Sequence, residues 1–88
     1  MSVRVTIEAA SKADAQLIAD ELPKLVEARS WRGLGVIRLG VKDKAETKEL
    51  VETVSRSFRH HGLKWARVRC DDEEFVFKAN GIGHRNTG

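Results

Sequence analysis

Eighty-eight residues suffice for one domain with one small core, since folding at this size hides roughly 60–65% of the surface of the unfolded chain. A hydrophobic content of 41% and a charged content of 33% exclude a disordered chain, and the one cysteine, Cys70, excludes an internal disulfide or a multi-cysteine zinc site. The formal net charge of +3, with a pI near 9.4, admits a polyanionic partner without requiring one.

Val3–Ala9 (VRVTIEA) alternates strictly, with Val3, Val5 and Ile7 on one side and Arg4, Thr6 and Glu8 on the other. This spacing predicts a half-buried strand. Next comes SKADAQLIADELPKLVEARSW, where Ala13, Leu17, Ile18, Leu22, Leu25 and Val26 recur at helical spacing and Ser11 with Asp14 forms an imperfect capping box. A helix is expected there, kinked or broken at Pro23, which lacks an N–H and clashes with the preceding turn. Trp31 at its end is expected to cover the edge of the core.

Arg32–Gly35 is expected as a turn, and Val36–Val41 as a second strand with Ile37, Leu39 and Val41 facing inward. KDKAETKELVETVSRSFRHHG predicts a second helix. Asp43 and Glu46 supply its cap, and Leu50, Val51, Val54 and Phe58 its apolar stripe. Acids occupy its first half, Arg59, His60 and His61 its last turn, and Gly62 its C-cap, as the helix dipole favours. Leu63–Cys70 and Glu73–Ala79 are expected as a third and fourth strand around an Asp71–Asp72 turn. The glycine-rich residues 81–88 are expected as a disordered tail beyond a domain of residues 1–80.

The expected order is therefore βαβαββ. It predicts an α+β, two-layer sandwich in which two helices pack on one face of a four-stranded mixed sheet and the other face stays open. Alternation assigns Arg4, Arg38, Trp65, Arg67, Arg69 and Lys78 to the open face, with Thr6, Val36, Val76, Glu8 and Glu74. Five cations thus stand against two acids around a tryptophan. No acid occurs between Thr53 and Cys70, and residues 32–69 carry ten Lys/Arg against four Asp/Glu. Aromatic rings that stack bases and guanidinium groups that meet phosphates are a known way for a sheet to hold single-stranded RNA or a similar polyanion. Arg67 and Arg69 could equally pair with Glu8 or Glu74 across strands. Val36, Trp65 and Val76 could instead form an apolar patch for a protein partner or a homodimer, as could an exposed edge of the third strand.

Other constellations point to little chemistry. His60 and His61 are adjacent on a helix, diverge by about 100° and match no zinc spacing. Cys70 is expected to face inward beside an acidic turn that disfavours a thiolate. No acid, base and nucleophile converge, so no enzymatic activity, metal or cofactor is expected. The opening MSVRVTIEAA lacks the apolar run of a signal peptide, and no run approaches a membrane span, which leads to a cytoplasmic expectation with no membrane partner.

The βαβαββ order of residues 3–79 resembles two nucleic-acid-binding folds, the C-terminal domain of bacterial translation initiation factor three and the Alba chromatin proteins. The resemblance is one of topology and brings no motif with it, so no residue takes a role from either family. It implies nucleic-acid binding.

Overall fold

The computed structural model describes residues 3–71, 73–78 and 81–86, the last segment by its backbone course alone. The elements in chain order are β1 (Val3–Ala9), α1 (Lys12–Ala19), β2 (Arg29–Trp31), β3 (Leu34–Val41), α2 (Lys44–His61), β4 (Trp65–Cys70), β5 (Glu73–Lys78) and β6 (Gly81–Asn86). One sheet holds all six strands in the order β2-β3-β1-β4-β5-β6, and every neighbouring pair is antiparallel. The fold is α+β with an open sheet, as expected. The expected four strands, mixed pairing and βαβαββ order are not what forms, and the likeness to the two nucleic-acid-binding folds rested on that order.

Two extra strands account for the difference. The first helix was expected to reach Trp31, but α1 ends at Ala19. A proline ring at position 23 would collide with the carbonyl of residue 19, and it disfavours the helical region for Leu22. The chain closes with short turn bonds from Glu21 N to Ile18 O and from Leu22 N to Ala19 O. It then crosses back irregularly, held where Gln16 Oε1 accepts from Ala28 N at 3.2 Å. Residues 29–31 use this return pass to form β2. Arg32 and Gly33, both at positive φ (49° and 86°), turn it directly into β3. Because β2 takes one pass along the sheet, β3 returns antiparallel to β1. At the other end, residues 81–86, expected as part of a tail, pair with β5 as β6. The remaining tail residues, 87 and 88, lie outside the described residues, as does Ala79, expected as the last residue of the fourth strand.

Strands β3 and β4 both run antiparallel to β1 and flank it, so α2 crosses from one to the other over β1. Its ends are fixed locally. Asp43 Oδ1 accepts from Glu46 N at 2.9 Å and Glu46 Oε2 accepts from Lys42 N at 2.8 Å, while Gly62 at φ 60° lets Leu63 N return to Phe58 O at 3.1 Å. Ser11 caps α1 by accepting from Asp14 N at 3.2 Å.

The helices share one core with one face of the sheet. Val5, Ile7, Ile37, Val41, Val68 and Phe77 meet Ala15, Ile18, Leu50, Val54 and Phe58 there. Phe58 and Phe77 touch ring to ring at 5.9 Å between centroids. Each such large apolar side chain contributes about 1.5–3 kcal/mol through burial. Cys70 is buried on this side, in the orientation expected of it.

Candidate nucleic-acid interface

The opposite face of the sheet carries no helix, and register sorts its side chains into rows that run across the strands. Trp31 on β2 opposes Leu34 on β3. Leu34 and Trp65 each lie one residue beyond the row Gly35–Ala9–Ala66, so they stand at the same end of the sheet, with Ala10 between them. Trp65 in turn opposes Lys78. The next row is Arg29, Val36, Glu8, Arg67 and Val76. The third is Arg38, Thr6, Arg69 and Glu74, and Arg4 lies beyond it opposite Gly40. The face therefore has an aromatic end and a basic end.

All six residues expected on this face, Arg4, Arg38, Trp65, Arg67, Arg69 and Lys78, stand on it. They differ in how far their charge is already spent. Arg67 Nε lies 3.2 Å from Glu8 Oε1, and Arg69 reaches both Glu8 at 3.9 Å and Glu74 at 3.7 Å. Glu8 Oε1 and Arg67 Nε are buried and out of line for a directed N–H···O bond, so their attraction is coulombic. These two arginines are held in a cross-strand network, which was the competing expectation for them. Arg4 and Arg38 are exposed and make no ion pair among the described residues, and the same is true of Lys78.

Arg29, Trp31 and Arg32 are among the residues of this face that were not anticipated. Trp31 does not cover the core edge; it sits on β2 on the open face and is 56% exposed. The guanidinium of Arg32 lies 5.3 Å from the centre of its ring, and that of Arg67 lies 5.8 Å from the centre of Trp65. Each tryptophan thus has a cation against it. Val36, expected in solvent, is only 7% exposed, although it faces away from the helices. It lines a hollow of about 450 Å³ with Trp31, Thr6, Cys70, the cations Arg4, Arg38 and Arg69, and the acids Glu8, Asp71, Glu73 and Glu74. The signal for these residues was present as an Arg–Gly pair between RSW and LGV, which a two-residue hairpin explains better than a helix end.

The remaining constellations are placed as follows. The rings of His60 and His61 meet edge to face at 4.8 Å, and His61 Nε2 lies 3.4 Å from Glu21 Oε2. Glu21 is held below the usual carboxylate range, first by the hydroxyl of buried Ser57 and then by the charge of His61. The Ser57 contact is loose, since its hydroxyl meets no partner in hydrogen-bond geometry. Among the described residues no three His, Cys, Asp or Glu side chains gather as a metal site would need. No described helix is long and apolar enough to cross a membrane. Strand β4 is internal, so the expectation of a partner joining the third strand at a sheet edge is overturned; the edges are β2 and β6.

No protein-family model, no curated protein and no solved structure matches the chain. The open face has to be interpreted from its own residues.

Proposed function

We propose that the protein is a non-catalytic binding domain that holds RNA on the open face of its sheet. The observation that carries this reading is the presence of two tryptophans, Trp31 and Trp65, on the same uncovered face as Arg4 and Arg38, which have no ion pair among the described residues. Rings offer stacking to any base, and unpaired guanidinium groups offer phosphate contacts. The reading as non-catalytic is supported by the burial of the one thiol, Cys70. Titration of a labelled single-stranded RNA at low and moderate salt tests the reading. Binding should weaken steeply with salt because phosphate contacts release counterions. No binding at low salt, or binding indifferent to salt, sinks it.

A second reading has one observation in its favour: Trp31 lies largely exposed on β2, a three-residue strand at the sheet edge, where a second copy or another protein could dock. Light scattering over a concentration series decides the self-association form of it, which a monomer throughout would remove.

A further inference from the structure

We infer that the RNA lies across the strands at the aromatic end of the face, as a single strand with bases on both Trp31 and Trp65. This rests on the reading of the face as an RNA site and specifies how that site works.

Three features of the face support it. First, register puts the two tryptophans in one row, Trp31–Leu34–Ala10–Trp65, at the same end of the sheet. They are separated by three strand spacings, about 14 Å. A ligand that followed the direction of one strand would meet one ring only; a ligand that follows the row meets both. Second, the floor between the rings is built from Leu34 and Ala10, which are neutral and half-buried, so a base can lie there without facing an unpaired charge. Third, the charge that faces a polyanion is offset from the row. Arg29 stands one row away along the strands and Arg38 two rows away, neither with an ion pair among the described residues, while Arg67 and Arg69 in the same rows are paired with Glu8 and Glu74; Lys78 extends the aromatic row beyond Trp65. Bases in the row and phosphates alongside it satisfy both chemistries at once.

The arrangement also selects the form of the nucleic acid. A duplex hides its base faces inside the stack and presents backbone, whereas these rings need unstacked bases. A guanidinium already lies against each ring, so a base stacked on either ring adds to a cation–π contact that is present.

The test uses the full chain and a fluorescein-labelled oligouridylate, with the same oligomer lacking its bases and an RNA duplex as the other two probes. Anisotropy gives affinity for the wild type, Trp31→Ala, Trp65→Ala and the rescue variants Trp31→Phe and Trp65→Phe, each checked for folding by circular dichroism. Each alanine variant is expected to lose about tenfold in affinity for the oligouridylate, and each phenylalanine variant to recover most of it. The base-free strand is expected to bind all five proteins equally weakly. If Trp31→Ala binds oligouridylate as the wild type does while Trp65→Ala does not, the cross-strand arrangement is wrong and the RNA reading stands. Duplex binding that loses affinity equally in both alanine variants also overturns the inference alone. If the wild type binds none of the three probes, the reading of the face falls and this inference with it. The same holds if the tryptophan variants instead abolish self-association.

Discussion

Glu8 Oε1 lies 3.2 Å from Arg67 Nε at the centre of the open sheet face, where the Glu8 side chain is 13% exposed and that of Arg67 34%. The pair sits between the cheap surface limit and the costly buried limit. Removing the carboxylate leaves a half-buried guanidinium with less to hold it. Glu8→Gln is expected to cost about 1–2 kcal/mol in urea unfolding, between the values for exposed and buried pairs. The same change releases charge from Arg67 and Arg69 toward a polyanion, so RNA affinity should rise a few-fold at low salt and rise less at high salt. A fall in affinity would show that Glu8 orients the arginines rather than competing for them.

Arg4 and Arg38 behave differently because nothing among the described residues is paired with them. Truncating either should leave stability within about 0.5 kcal/mol of the wild type, as for surface positions without structural contacts. If they meet phosphates, Arg4→Ala and Arg38→Ala should each reduce the slope of log affinity against log salt by about 0.7, the increment per phosphate of a single strand. The loss should be the same for every RNA sequence, since phosphate contacts carry no base information. Unchanged slopes in both variants would move the anion site away from the basic end of the face.

Strong alternation made β1, β3, β4 and β5 legible in the sequence, and caps at Ser11, Asp43 and Gly62 bounded the helices where they start and where α2 ends. What escaped lacked a local signal. Leu22, Leu25 and Val26 continue a helical spacing past the true end of α1; Leu22 joins the core and Val26 packs against it from an irregular segment, while Leu25 is fully exposed, so apolar spacing there does not mark a helix. β2 is three residues long, too short to show a period, and β6 carries two glycines in six positions; both are strands because a neighbour pairs with them. Missing β2 had two consequences. It left a mixed sheet as the expectation where every pairing is antiparallel, and it hid Trp31, half of the aromatic row. The place of the six anticipated residues on the open face was legible because they lie on strands whose alternation is unambiguous.

Gly35 marks where α1 rests on β3. A Cβ at this position would run into the carbonyl oxygen of Ser11 and come 2.6 Å from the Cβ of Ala15, in the first turn of the helix. The obstacle is backbone, which cannot rotate away, so Gly35→Ala has to lift α1 off the sheet. A cost of about 3 kcal/mol is expected, at the upper end for overpacking. Gly62→Ala is the control, because its φ of 60° is unfavourable for a side chain while open space surrounds it. It should cost only about 1–2 kcal/mol. Chemical unfolding of both variants measures the difference, and equal losses would mean that α1 can slide on β3 at little cost.

Lys24 ties the return loop to the start of α2. Its ammonium donates to Gly40 O at 2.6 Å and lies 3.0 Å from Glu46 Oε1. The Glu46 carboxyl is held below its ordinary value of 4.5, first by the bond from Lys24 and then by the backbone N–H of Lys42. A carboxyl depressed in the folded state adds stability that is fully present above the unfolded value and disappears as pH falls through the folded one. Glu46→Gln should therefore be less stable than the wild type at neutral pH, and the two should converge as the pH drops well below 4.5, where both side chains are uncharged. Because Glu46 is solvated, added salt should narrow the neutral-pH gap as well. Urea midpoints collected across this pH range decide the matter. A gap that stays constant through the acid limb would assign the effect of Glu46 to its reciprocal cap on Lys42 N rather than to charge.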